Sequence, residues 1–149
     1  MAKDLQESGL IVAVFGAGTM GRGIAQVCAQ AGMITLLFDA REGAVAEALA
    51  AIDKALDGQV SKGRRSNEDK KGVMTRLRPI RTVDEAAGVD IAIEAIVENL
   101  DAKRALFREL EKRIAADAVL ATNTSSLSVT EIAAGCERPA ARHRTSRSR

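Results

Sequence analysis

The sequence has no tryptophan, no tyrosine and only three phenylalanines in 149 residues. Its interior therefore has to be assembled from Ala, Val, Ile and Leu, which suits a sheet covered by helices. Chain length allows one domain with a real core. Cysteine is scarce too. Cys28 and Cys136 stand far apart with no CxxC spacing, which gives neither a disulfide framework nor a metal set. Cys28 falls on an apolar helix face and is expected to be a buried thiol. Long hydrophobic runs are missing: "MAKDLQESG" lacks the apolar stretch of a secretion signal, and no later run can span a bilayer. The expectation is a soluble protein of a reducing compartment, taken as cytoplasmic, with no membrane partner.

An excess of positive charge is absent from most of the chain. The net charge is +2, yet Arg142, Arg144, Arg147 and Arg149 lie together at positions 142–149. Setting those four aside from 22 basic and 20 acidic residues leaves a body two charges negative. The arginine-rich stretch has no aromatic residue to stack on bases and no amphipathic spacing. Nucleic acid is therefore not an expected partner.

What is present is an alternation of two periods. "LIVAVF" (10–15) is a short apolar run ending at glycine, as a strand buried on both faces should be. From Thr19, the residues Met20, Ile24, Val27, Cys28 and Ala31 recur on one helical face, and Gly32 can cap it. "MITLLFD" (33–39) reads as a second strand and "REGAVAEALAAIDKALDGQV" as a helix. "SKGRRSNEDKKGVMTRLRP" is polar and predicts a helical hairpin projecting from the domain. "PIRTV" and "VDIAIEAIV" (89–97) read as strands, and "NLDAKRALFRELEKRIAAD" as a helix with Leu106, Phe107, Leu110 and Ile114 inward. "AVLATN" (118–123) is one more strand, before a short helix around "SVTEIAAG". Such alternation predicts an α/β fold, Rossmann-type and doubly wound, with a mainly parallel sheet. The expected organisation is an extension over 1–9, one domain over 10–140 and a disordered basic tail over 141–149.

"GAGTMG" places Gly16, Gly18 and Gly21 between a strand and a helix, the setting a dinucleotide loop requires. Gly16 makes the tight turn, Gly18 admits the pyrophosphate, and Gly21 lets helix and strand pack, with helix N–H groups facing negative charge. Gly23 is a further small residue useful for the same packing. Asp39 ends the second strand 18 residues after Gly21, close to the spacing of an acid that binds ribose hydroxyls. A carboxylate there repels a 2′-phosphate and favours NAD over NADP. Arg41 nearby argues for tolerance of a phosphate, and the glycines alone do not separate NAD from FAD. An aspartate at a strand end also serves simply to cap the next helix.

With "GAGTMGRGIAQVCAQAG", "EAIVENLDAKRALFREL" and "ATNTSSLS" in register, the chain resembles the 3-hydroxyacyl-CoA dehydrogenase family, over about residue 10 to Ala140. The matching part is that family's N-terminal NAD-binding domain. The resemblance implies oxidation of the C3 hydroxyl of an acyl-CoA in fatty acid β-oxidation, with hydride passing to NAD. It implies that Gly16, Ala17, Gly18, Thr19, Met20, Gly21 and Asp39 hold the adenosine and pyrophosphate. Glu98 and Lys103 would lie along the nicotinamide half, and Ser125 would hydrogen-bond near the reacting oxygen and the nicotinamide. Lys62 would reach the CoA phosphates; where some members carry a CoA-binding serine, this chain has Ala55. Each also has a plainer reading: Glu98 and Asn99 as helix-start residues, Ser125 as a cap, Lys103 and Lys62 as solvated lysines. Glu94 lies inside an apolar strand, is expected at a strand end or solvated crevice, and is given no role.

Hydride transfer from an alcohol needs a base for the hydroxyl proton. In the family that base is the histidine of a "GLHFFNP"-type segment, with an orienting glutamate further along. The one histidine here, His143, has neither flank. Codon degeneracy allows the DNA for "AARHRTSR", shifted forward by one base, to read Arg-Val-Ile-Gly-Leu-His. The shifted histidine falls at the position of Ser146, 21 residues after Ser125, although the following codon does not give Phe. A frameshift near Ala141 with premature termination is therefore expected. It leaves an NAD-binding domain inactive alone, without the catalytic histidine and the family's dimerisation domain. The competing expectation is a stand-alone NAD-binding module, or a subunit completed by another chain.

Overall fold

The computed structural model describes residues 9–96, 99–115 and 117–122, together with the backbone of 142–144. Its strands are β1 (Ile11–Phe15), β2 (Ile34–Phe38), β3 (Leu77–Pro79), β4 (Ile91–Glu94), β5 (Val119–Thr122) and β6 (Arg142–Arg144). The helices are α1 (Thr19–Gln30), α2 (Ala44–Ser61), α3 (Asn67–Arg76) and α4 (Leu100–Arg113). The strands form one sheet in the order β3-β2-β1-β4-β5-β6, and every neighbouring pair is parallel. The chain winds outward from β1 in one direction, returns to β4, and winds outward in the other. That reversal between β1 and β4 is the switch point of a doubly wound sheet, where ligands bind beyond the strand ends.

Period-two alternation in β1 divides the core. Val12 and Val14 pack on one face with Ala25, Ala29, Ile52 and Leu56 of α1 and α2. Ala13 and Phe15 pack on the other with Phe107 and Leu110 of α4 and Leu120 of β5. All four β1 residues are fully buried, the expected state of a central parallel strand.

Several local expectations are corrected. On α1, Met20 and Val27 are exposed at 41% and 64%, while Gly21, Ala25 and Ala29 face inward. The helix sits too close to β1 for large side chains on its inner face, so the small residues form the contact. Cys28 is only partly buried against the core, and burial pushes its thiol pKa up. Gly32, at φ 95°, does terminate α1, with Gly32 N–H donating to Ala29 O and Met33 N–H to Cys28 O. The α2–α3 hairpin projects only at its turn, because Ile52, Leu56 and Val73 belong to the core. "PIRTV" is no strand. Pro79 closes β3, and a capping box of Thr82 and Glu85 opens a single 3-10 turn over Val83–Ala86. Residues 142–144, expected in a disordered tail, instead form β6, whose backbone pairs Ala121 with His143 at the sheet edge. The expected helix around "SVTEIAAG" lies outside the described residues.

Candidate dinucleotide site

The glycine loop joins β1 to α1. Gly16 adopts φ 113°, a left-handed conformation that glycine alone takes freely, and its N–H donates to Phe38 O at 2.8 Å. A Cβ on Gly16 would strike the Ala95 carbonyl, and one on Gly21 would strike the Gly16 carbonyl. Gly18 differs: a Cβ there meets nothing within 4 Å. Its emptiness faces outward, where a ligand must approach. Gly18 is also the N-cap of α1, with no side-chain cap, and no acid stands in the first turn to compete with an anion. Gly23 is exposed and contacts nothing, so it has no part in the close packing expected of it.

Asp39, just past β2, bridges this loop to its neighbour. Its Oδ2 accepts from Ala17 N–H at 2.8 Å and its Oδ1 from Arg41 N–H at 2.8 Å. A carboxylate on two backbone donors is held in place, with lone pairs left for a ribose hydroxyl. Arg41 turns to Glu47, donating from Nη2 to Oε2 at 2.8 Å. That hydrogen bond, and then the paired charge, raises the Arg41 pKa and lowers that of Glu47. Arg41 is therefore paired with Glu47, while it lines the same cleft as Asp39 and feels that carboxylate's charge.

Between them lies a cleft of about 630 Å³, lined by Gly16, Gly18 and Asp39 and walled by Phe15, Phe38 and Leu106. Phe15 and Phe38 stack at a tilt, with ring centroids 5.7 Å apart. An apolar slot beside one carboxylate and an open helix N-terminus suits a flat base, a ribose and a pyrophosphate in turn.

The far side rests on a buried polar cluster. Glu94 ends β4 and is fully buried, as are Lys103 of α4 and, at 2% exposure, Thr122 at the end of β5. Glu94 Oε2 accepts from Lys103 Nζ at 2.7 Å and from Ile96 N–H at 2.7 Å. Glu94 Oε1 accepts from the Thr122 hydroxyl. Neither a solvated crevice for Glu94 nor a solvated helix lysine at position 103 is what the structure shows. Asn99 caps α4, its Oδ1 accepting from Ala102 N–H at 3.0 Å. Lys62 is exposed at the C-cap of α2, and Ala55 is exposed nearly two turns before it. Lys62 follows the far end of α2, an 18-residue helix about 27 Å long at 1.5 Å per residue that begins five residues after Asp39. Glu98 and Ser125 lie outside the described residues. The contribution of Glu94 was hidden in the sequence, because only its approach to Lys103 and Thr122 across three elements reveals it.

A parallel sheet whose winding reverses between β1 and β4, a glycine loop at that point and an acid at the end of β2 define a dinucleotide-binding domain. The chain belongs to the 3-hydroxyacyl-CoA dehydrogenase family: residues 11–144 match the model of its NAD binding domain. The cofactor of this domain is NAD. The chain is 41% identical over 128 residues to a probable 3-hydroxybutyryl-CoA dehydrogenase of Bacillus subtilis (strain 168), covering 86% of this chain and 45% of that protein. It is 40% identical over 128 residues to the 3-hydroxyadipyl-CoA dehydrogenase of Escherichia coli (strain K12), covering 86% and 27% respectively. Its fold matches a crystal structure of 3-hydroxybutyryl-CoA dehydrogenase from Escherichia coli K12 with a TM-score of 0.89 at 37% identity, over 93% of this chain and 29% of that one. The chain thus spans less than half the length of these relatives. No helix among the described residues is long and apolar enough to cross a membrane.

Proposed function

We propose that this chain supplies the NAD half of an enzyme that oxidises the C3 hydroxyl of an acyl-CoA, as in fatty acid β-oxidation in the cytoplasm. The observation that carries the reading is the latch between Ala17 N–H and Asp39 Oδ2, which fixes ribose acid and phosphate loop at one cleft. Gly16 to Gly21 cradle the pyrophosphate, Asp39 takes the adenosine ribose hydroxyls, and the Phe38–Leu106 slot takes adenine. When bound, NAD supplies the hydride acceptor. Glu98 and Ser125 border the nicotinamide end in this reading, where Ser125 holds the reacting oxygen, and Lys103, fully buried against Glu94, serves that end without touching the cofactor. Lys62, on the distant hairpin turn, is left for the CoA phosphates. Similarity to a probable 3-hydroxybutyryl-CoA dehydrogenase and to a 3-hydroxyadipyl-CoA dehydrogenase supports that substrate class.

The alcohol proton needs an acceptor. His143 follows Ala141 and Arg142 in an arginine-rich edge strand, with none of the expected flanking residues, and we assign it no such role. The chain is therefore expected to bind NADH without reducing acetoacetyl-CoA. Titration of purified chain with NADH, followed by absorbance at 340 nm after adding acetoacetyl-CoA, tests both parts. Absence of NADH binding would sink the cofactor assignment for this chain. Turnover would show that His143, or another chain present, supplies the base.

A further inference from the structure

Glu94 is the most deeply buried acid described in the molecule and sits at the switch point, yet it is too enclosed to touch a ligand. Its three partners belong to three elements: Ile96 in the turn after β4, Lys103 on α4, and Thr122 at the end of β5. Those elements build the second half of the crevice, opposite the Asp39 end. In a doubly wound sheet the two nucleosides of a dinucleotide lie on the two sides of the switch point. We propose that Glu94 is the positioning residue of the nicotinamide side, setting Ile96, Lys103 and the end of β5 in one arrangement.

The two sides are anchored differently. Ala95 is fixed without Glu94, because its N–H donates to Phe15 O at 2.8 Å and its carbonyl lies against Gly16. The adenosine side therefore has its own backbone support. One residue later the turn leaves the sheet, and the bond from Ile96 N–H to the Glu94 carboxylate takes over. Lys103 could not stay buried as an ammonium without an anion beside it. Thr122 is the last residue of β5, and its hydroxyl bond to Glu94 holds the strand end from which the sequence continues to Asn123 and Ser125. A carboxylate serves all three partners because it accepts on every side, whereas an amide has to donate from one end.

This role presupposes the NAD assignment, and one set of titrations separates the two. NADH and ADP-ribose, which lacks the nicotinamide, are titrated against the wild-type chain, E94Q and E94Q/K103M. The double variant removes the buried pair together and avoids a lone buried ammonium, so it is expected to keep its fold. Both variants are expected to lose NADH affinity about tenfold or more, the order of one charge-assisted hydrogen bond in a buried site. ADP-ribose affinity is expected to stay within about threefold, a small step on the same free-energy scale. An equal fall for both ligands would make Glu94 a general structural residue and overturn the role. So would wild-type NADH affinity in E94Q/K103M, or loss of fold in both variants. A wild-type chain that binds neither ligand would overturn the NAD assignment itself, and the role with it.

Discussion

The four glycines around the phosphate loop look alike in the sequence and do different work. Gly16 and Gly21 are packed so closely that any side chain meets backbone, whereas Gly18 and Gly23 face open space. Their alanine variants should therefore separate cleanly. G21A is expected to lose about 3 kcal/mol or more, the upper end for overpacking, since the Gly16 carbonyl has to move. G23A, in an exposed helix interior, is expected to gain about 0.5–1 kcal/mol. G18A is expected to keep its stability and to lose NADH affinity about tenfold or more, because its methyl occupies the pyrophosphate approach. Urea denaturation and NADH titration of the three variants check the pattern. Equal behaviour of G18A and G23A in the titration would count against the assigned approach. The spacing of the glycines revealed the loop. Only the neighbouring carbonyls show which glycine answers to the fold and which to the ligand.

Strand boundaries were legible in the apolar runs of β1 and β2, whereas the helix read over 99–117 ends at Arg113, with Ile114 extended as its C-cap, and elsewhere packing overrode the pattern. The predicted inner face of α1 counted large apolar residues, but proximity to β1 selected Gly21, Ala25 and Ala29. The C-terminus of α1 has no basic residue of its own, and Arg76 from α3 donates to Ala29 O at 2.9 Å. No periodicity within α1 could have shown that partner. At the other edge, β6 places Arg-His-Arg in parallel register with Leu120, Ala121 and Thr122 of β5. Three bulky cationic or polar residues are poor material for a strand in an all-parallel sheet. We propose that the coding DNA carries a one-base shift near Ala141, since the next frame permits Val-Ile-Gly at 142–144, two of them strong strand formers. Sequencing that stretch decides it: codons whose next frame does not spell Arg-Val-Ile-Gly-Leu-His from position 141 exclude the shift.

Taken whole, the molecule is two packed faces on one sheet, joined at the crevice by a few polar links. Asp39 ties the glycine loop to the end of β2, and Glu94 ties the end of β4 to α4 and β5. A dinucleotide laid across the crevice touches both halves, so its binding energy adds to the stability of the entire fold. At a ligand concentration of 100 Kd the linkage is worth about 2.7 kcal/mol. For a domain of this size that raises the melting temperature by roughly 5–10 °C. NADPH should do much less at the same concentration. Its 2′-phosphate would meet the Asp39 carboxylate, and the cation beside it, Arg41, is hydrogen-bonded to Glu47. The calorimetric experiment is therefore comparative, with NADH and NADPH scanned side by side on the same chain. E47Q extends it by weakening the hold on Arg41, and it is expected to narrow the gap between the two cofactors mainly by improving NADPH. Equal stabilisation of the wild-type chain by both cofactors would mean that Asp39 does not read the ribose.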